Sequence, residues 1–233
     1  MKLTSLAFLL LLAVSTSVSA TVTVLSSVPI VCEEGIKATN ERRHKEAIAS
    51  LDLCLSIRLT RNERSMALRA RALSYSNMDM PEKALEDQRA AMSAAMSYDA
   101  WPLIMLSYYQ KQLKQYDDAL LTLKEAEGFD EDRDRPGPGM AISYHRGRIY
   151  YEMGRFADAV DALTKGMLKQ PNYSPAYFYR GLAYQALGKS DEAKVDFLKV
   201  AELVPAEGYP ANFVEKLEEF GIHVKLKNGA QKP

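Results

Sequence analysis

The chain has 233 residues, with 30 Lys and Arg balanced by 30 Asp and Glu, so its formal net charge is zero. A phosphate-binding surface needs a basic excess to neutralise the nucleic-acid backbone, and none is present here. Ala, Leu, Lys, Glu, Arg and Met dominate, which are strong helix formers, while Val, Ile and Thr at strand spacing are nearly absent after Val31.

The first twenty residues differ from the rest. Lys2 gives a positive start, an apolar run extends from Leu6 through Val14, and small and polar residues follow to Val18-Ser19-Ala20. That order matches a cleavable secretory signal, with cleavage expected after Ala20. The apolar run is too short for a membrane span, which needs roughly 20 residues. Residues 21–27 read as a linker, and no later stretch reaches spanning length without charges, so no transmembrane segment is expected after cleavage. The remaining 213 residues suffice for one domain or array with a sizeable core.

Gly and Pro cluster at Arg135-Pro136-Gly137-Pro138-Gly139, and the acidic stretch from Asp130 to Gly139 reads as a long surface loop. Beyond it the chain repeats itself. Tyr144-His145-Arg146-Gly147-Arg148-Ile149-Tyr150 aligns with Phe178-Tyr179-Arg180-Gly181-Leu182-Ala183-Tyr184 at an offset of 34. The offset persists: Gly154 meets Gly188, Ala159 meets Ala193, Leu163 meets Phe197 and Pro171 meets Pro205.

This pattern resembles the tetratricopeptide repeat, a 34-residue helix-turn-helix unit. The resemblance implies an all-α fold, a right-handed superhelical array of antiparallel helix pairs. Its signature is met at Tyr177, Gly181, Tyr184, Ala193, Phe197, Val200 and Pro205, and nearly so at Ser143, Gly147, Tyr150, Ala159, Leu163, Gly166 and Pro171. Weaker copies precede them, giving expected repeats at 28–61, 65–98, 100–133, 140–173 and 174–207. Gly35, Ala72, Gly147 and Gly181 are the small residues of first helices. Ala47, Ala84, Ala119, Ala159 and Ala193 are those of second helices, spaced 37, 35, 40 and 34 apart. Small residues at these places let paired helices approach closely, and each pair leaves apolar surface for the next to cover. Phe213, Leu217 and Phe220 mark an amphipathic capping helix at 209–221, stopped by Gly221, with a tail at 222–233.

Nothing in the sequence points to catalysis, a metal or a cofactor. His44, His145 and His223 share no helical turn, no Cys-x-x-Cys pair exists, and Gly137 and Gly139 precede no lysine. Asn172-Tyr173-Ser174 fits a glycosylation sequon but reads as a helix start, with Ser174 capping and Pro175 in the first turn. Cys32 and Cys54 occupy repeat positions 5 and 27, whose sum of 32 equals that of positions 8 and 24, so the two could meet across the first helix pair. The alternative is two buried free thiols.

The resemblance also implies where a partner would bind. First helices line the concave face of such arrays, through positions 2, 5, 6, 9, 12 and 13. Carried onto this chain, the groove residues are Arg69, Trp101, Met105, Tyr108, Tyr144, His145, Arg148, Tyr151, Phe178 and Tyr179, flanked by Met66, Leu73, Lys111 and Glu152. Aromatics and Arg carry interface energy, and Met adapts to irregular shapes. The Lys-and-Asn clamp of cytosolic chaperone-binding relatives is absent from positions 5 and 9. The expectation is a non-catalytic adaptor, periplasmic or secreted, that holds a peptide or helix of another protein. An accessory subunit of an envelope complex is the first alternative. An RNA-binding helical repeat is disfavoured by the charge balance.

Overall fold

In a computed structural model of the chain, residues 28–129, 138–203 and 211–222 are described. The expected signal, the linker, most of the Asp130–Gly139 loop and the tail beyond Ile222 lie outside them. Among the described residues every regular element is an α-helix. Ten form five antiparallel pairs: α1 (Ile30–Asn40) with α2 (His44–Ser56), α3 (Arg61–Asn77) with α4 (Pro81–Ala94), α5 (Ala100–Gln112) with α6 (Tyr116–Glu127), α7 (Gly139–Glu152) with α8 (Phe156–Lys169), and α9 (Ser174–Ala186) with α10 (Ser190–Leu203). The last helix, α11 (Ala211–Glu219), packs on α10.

Local chemistry sets the helix ends. The Thr60 hydroxyl accepts from the Glu63 N–H while the Glu63 carboxylate accepts from the Thr60 N–H, a complete capping box. Asp99 caps α5 through the Trp101 N–H, and Pro81 and Pro175 sit in first turns, where a missing N–H costs nothing. Within each pair the turn is made by one left-handed residue: Arg42, Asp79, Lys114, Gly154 and Gly188. These five are spaced 37, 35, 40 and 34 apart, the same steps as the second-helix alanines. The residue after each donates its N–H to the carbonyl five positions back at 2.9 Å, as in Arg43 to Ala38 and Lys189 to Tyr184, closing the helix terminus. Gly221 ends α11 the same way, through Ile222 to Leu217.

Close approach within pairs depends on glycine. A Cβ at Gly35 would lie 2.6 Å from Leu51 Cγ, at Gly147 2.4 Å from Leu163 Cγ, and at Gly181 2.8 Å from Phe197 Cε1. The residue facing each glycine is thus the bulky one at position 24, while the position-20 alanines Ala47, Ala159 and Ala193 are buried alongside. Ala72, Ala84 and Ala119 are likewise fully buried. Cys32 and Cys54 form a disulfide joining α1 to α2, with their Cα atoms 5.0 Å apart.

The arginine of the repeated aromatic-x-Arg-Gly motif is a staple between helices. Arg180 makes a bidentate pair with buried Asp196 on α10 and donates to Thr164 on the preceding α8. Arg71, at the equivalent repeat position, does the same with Asp87 on α4 and Asp52 on α2, and Arg146 donates to Glu127 on the preceding α6. Two of these guanidinium groups also lie over tyrosine rings, Arg71 on Tyr75 and Arg180 on Tyr177 and Tyr184. Each arginine therefore ties its own pair to the one before, the near-neighbour coupling of a solenoid.

Candidate functional site

Three of the four consecutive first-helix pairs pack together, α1 on α3, α5 on α7 and α7 on α9, and Ser76 of α3 hydrogen-bonds Gln112 of α5, while no pair of second helices makes comparable contact. The stack therefore curves toward its first helices, which form the inner wall.

Position along the first helix decides which side chains reach that wall. At position 5, Arg69 is exposed and Tyr144 half-buried, but Cys32, Ile104 and Phe178 are buried. Phe178, expected in the groove, is 2 % exposed and packs against Phe197 at 5.8 Å between ring centroids. Position 5 points partly between the two helices of a pair. A charged side chain there extends to water, whereas an apolar one sinks into the core. Tyr109, at position 10 of its repeat and outside the groove positions, is also fully buried.

The remaining expected residues divide into two zones. On the α1–α5 side, Ile36, Met66, Arg69, Leu73 and Met105 border an open hollow of about 340 Å³. Trp101 stands at the start of α5, 49 % exposed. On the α5–α9 side, aromatic rings form a continuous edge-to-face series. His145 sits 5.9 Å from Tyr108 and 5.4 Å from Tyr144, and Tyr144 is 5.2 Å from Tyr173 and 5.8 Å from Tyr179. Tyr179 in turn lies 6.2 Å from Tyr151. Such contacts stiffen a surface, each adding about 0.5–1.5 kcal/mol beyond area burial. Tyr173 was not singled out from the sequence. It enters from the loop before α9, where helical spacing says nothing about side-chain direction.

Two cations stand among these rings. Lys111 Nζ donates to Glu152 Oε1 at 2.8 Å and lies over the Tyr108 ring. The Arg148 guanidinium packs on Tyr179 at 4.6 Å and Tyr144 at 5.6 Å, with Glu152 4.0 Å away. Burial, then the nearby Arg148 charge, lowers the Lys111 pKa, and Glu152 opposes both. Burial pushes the Tyr144 hydroxyl up, out of the range in which it could ionise near neutrality. Burial, then Arg148 and Lys111, holds His145 down at about 3.

The His145 shift has a consequence for stability. The unfolded imidazole takes up a proton near its ordinary value of 6.5, and the folded one only near 3. Between those values the unfolded state binds more protons, so stability present above pH 6.5 is lost as the pH falls. The slope is on the order of 1 kcal/mol per pH unit. Arg148 and Tyr144, which lie beside the imidazole, are both shifted upward, away from this window. His145→Gln is therefore expected to flatten the fall in thermal midpoint between neutral pH and about pH 4.5. An unchanged fall would contradict a neutral buried imidazole.

Among the described residues no cluster of His, Cys, Asp and Glu could hold a metal ion, and no helix is long and apolar enough to cross a membrane.

Residues 175–206 match the model of the tetratricopeptide repeat family. Among solved structures, the chain resembles PilW, titled a widely conserved type IV pilus biogenesis factor (TM-score 0.65, 18 % identity, 83 % of this chain and 86 % of that one). It also resembles MamA (TM-score 0.55, 20 % identity, 83 % and 95 %) and YrrB, titled a TPR protein with an unusual peptide-binding site (0.51, 16 %, 81 % and 90 %). Among curated proteins, it is 23 % identical over 176 residues to RNA polymerase II-associated protein 3 of Rattus norvegicus and 24 % over 172 residues to that of Mus musculus. These stretches cover 60 % and 59 % of the chain, which spans about a quarter of those relatives' length (27 % and 26 %). The chain is thus similar to tetratricopeptide-repeat proteins and shares the all-α fold of their solenoids, with the family's own motif at 175–206.

Proposed function

We propose that this chain is a non-catalytic adaptor that holds a segment of another protein in its concave groove, on the exported side of a membrane. The observation that carries the reading is the inner wall itself. Tyr108, Tyr144, Tyr151 and Tyr179 are only half-buried and Trp101 is 49 % exposed, a concentration of large rings that packing between repeats leaves partly open. Rigid aromatic anchors beside Arg and Met are what peptide-holding surfaces use. YrrB, by its title, binds peptide with the same fold.

Export is supported by the signal-like first twenty residues and by the Cys32–Cys54 bridge, since disulfides persist in oxidising compartments. The PilW likeness is in keeping with a bacterial envelope setting. The curated relatives are named for association with RNA polymerase II, and the fold by itself does not choose between such settings.

The test is selection of binders from a randomised nonapeptide phage library on the oxidised full chain. Tyr179→Ala is expected to weaken the selected peptides at least tenfold, while Leu121→Ala, on the exposed face of α6, leaves them unchanged. Equal effects, or loss at Leu121 alone, would place the binding elsewhere.

A further inference from the structure

The cations of the inner wall outnumber its anions. At the inward positions of α3, α5, α7 and α9, Arg69, Lys111 and Arg148 are positive and Glu152 alone is negative, in a chain of zero net charge. Lys111 holds the Glu152 carboxylate at 2.8 Å, and Arg148 comes only within 4.0 Å of the same oxygen. The Arg148 guanidinium is otherwise faced by the Tyr144 and Tyr179 rings, which stabilise its charge, with the Tyr144 hydroxyl also within its hydrogen-bonding reach. Its Nε is buried and has no hydrogen-bond partner among the described residues, and the same holds for Nδ1 of His145, one helical turn away. A buried guanidinium N–H without an acceptor costs about 1–3 kcal/mol or more. Both atoms are enclosed, so what the cluster offers to the groove is the exposed remainder of the Arg148 guanidinium in a surplus of positive charge, a place for an acceptor that carries negative charge.

We propose that the Arg148–His145–Lys111 cluster reads an aspartate or glutamate side chain within the segment that the groove holds. The proposal rests on the groove reading above and names the chemistry that the groove selects. The carboxylate pairs with the exposed part of the Arg148 guanidinium, whose side chain is 19 % exposed, in a charge-assisted contact, while Nε and His145 Nδ1 stay enclosed behind it. The surrounding tyrosine rings exclude water, so the bond counts for more than it would on an open surface. Lys111, already engaged by Glu152, supplies field rather than a direct contact.

The acid is an internal one, because the wall continues on both sides of the cluster. Toward α1 lies the hollow bordered by Ile36, Leu73 and Met105, and past Tyr179 lie the half-buried Leu182 and Gln185 of α9. A segment running through the groove therefore places an apolar residue in the hollow and its acid over Arg148. The positive charge of Arg69 at the rim of the hollow favours further acids in the same segment.

The nonapeptides selected on the oxidised chain provide the probe. They are expected to carry Asp or Glu at one fixed position, with a bulky apolar residue to one side. Replacing that acid by Asn or Gln should weaken binding at least tenfold. Arg148→Met should weaken the parent peptide to the same level and leave the amide version unaffected, the signature of a direct pair. Because the peptide substitution is made against the unaltered chain, the result does not depend on how the Arg148 variant folds. Peptides that lose affinity with Tyr179→Ala yet show no acid preference would overturn the acid-reading proposal and leave the groove reading intact. Peptides that lose affinity only when their C-terminus is amidated would overturn it in favour of a terminal carboxylate. Failure to select any peptide would remove the groove reading, and this proposal with it.

Discussion

Replacing Phe197 by Ala is expected to cost about 3–5 kcal/mol, concentrated in the last three helices. The ring is fully buried and joins three elements. It lies over Gly181 of α9, 5.8 Å from Phe178 and 4.8 Å from Phe220 beyond α11. Val200 and Leu217, both fully buried, complete the cluster. Its removal leaves a cavity that the neighbouring glycine cannot fill, because Gly181 has no side chain to move. Each pair touches mainly its neighbours, so the loss should not spread evenly. Amide hydrogen exchange should quicken throughout α9, α10 and α11 and stay nearly unchanged in α1 to α4. A uniform change along the chain would mean that it folds as one globule and not as a stack. Phe197→Leu, which keeps most of the volume, should lose less.

Reducing the Cys32–Cys54 bridge should destabilise the opposite end by about 3 kcal/mol, the chain-entropy value for a loop of this length. The bond spans 22 residues and ties α1 to α2. Among the described residues this pair packs on α3 alone, so the cross-link acts at the end of the described stack. With reductant, the α1 and α2 amides should lose protection first, while α7 to α10 keep theirs. The paired Cys32→Ala and Cys54→Ala changes should reproduce that pattern without reductant. The same denaturation profile with and without reductant would show that packing of Ala38, Ala47, Leu51 and Ala67 alone holds the pair together.

The architecture was legible where chemistry leaves a periodic mark. The 34-residue offset of α7–α8 and α9–α10 is carried by Gly147, Gly181, Ala159 and Ala193, residues that close helix contact demands. The constant-sum register of antiparallel helices pointed to Cys32 facing Cys54. The turn position was hidden in the first three pairs because Arg42, Asp79 and Lys114 occupy the left-handed conformation that Gly154 and Gly188 advertise later. A non-glycine residue accepts that conformation at a cost of roughly 1–2 kcal/mol, which the surrounding helix-end hydrogen bonds offset.

The candidate site was less legible. At position 5, a side chain long and polar enough stays exposed, as at Arg69, and an apolar one is buried, as at Phe178. Tyr173 comes from a loop, where periodicity carries no information. The orphan Nε of Arg148 arises from α7 and α9 packing together, since Tyr144 and Tyr179 occupy the space around the guanidinium. No single helix records that arrangement.

The most direct test of the inner wall as the working surface is amide hydrogen exchange on the oxidised chain, with and without a selected nonapeptide at saturation. Slowed exchange should appear in α5, α7 and α9 and be absent from α6 and α8. Slowing confined to the second helices would contradict a concave docking site and move the function to the outer face.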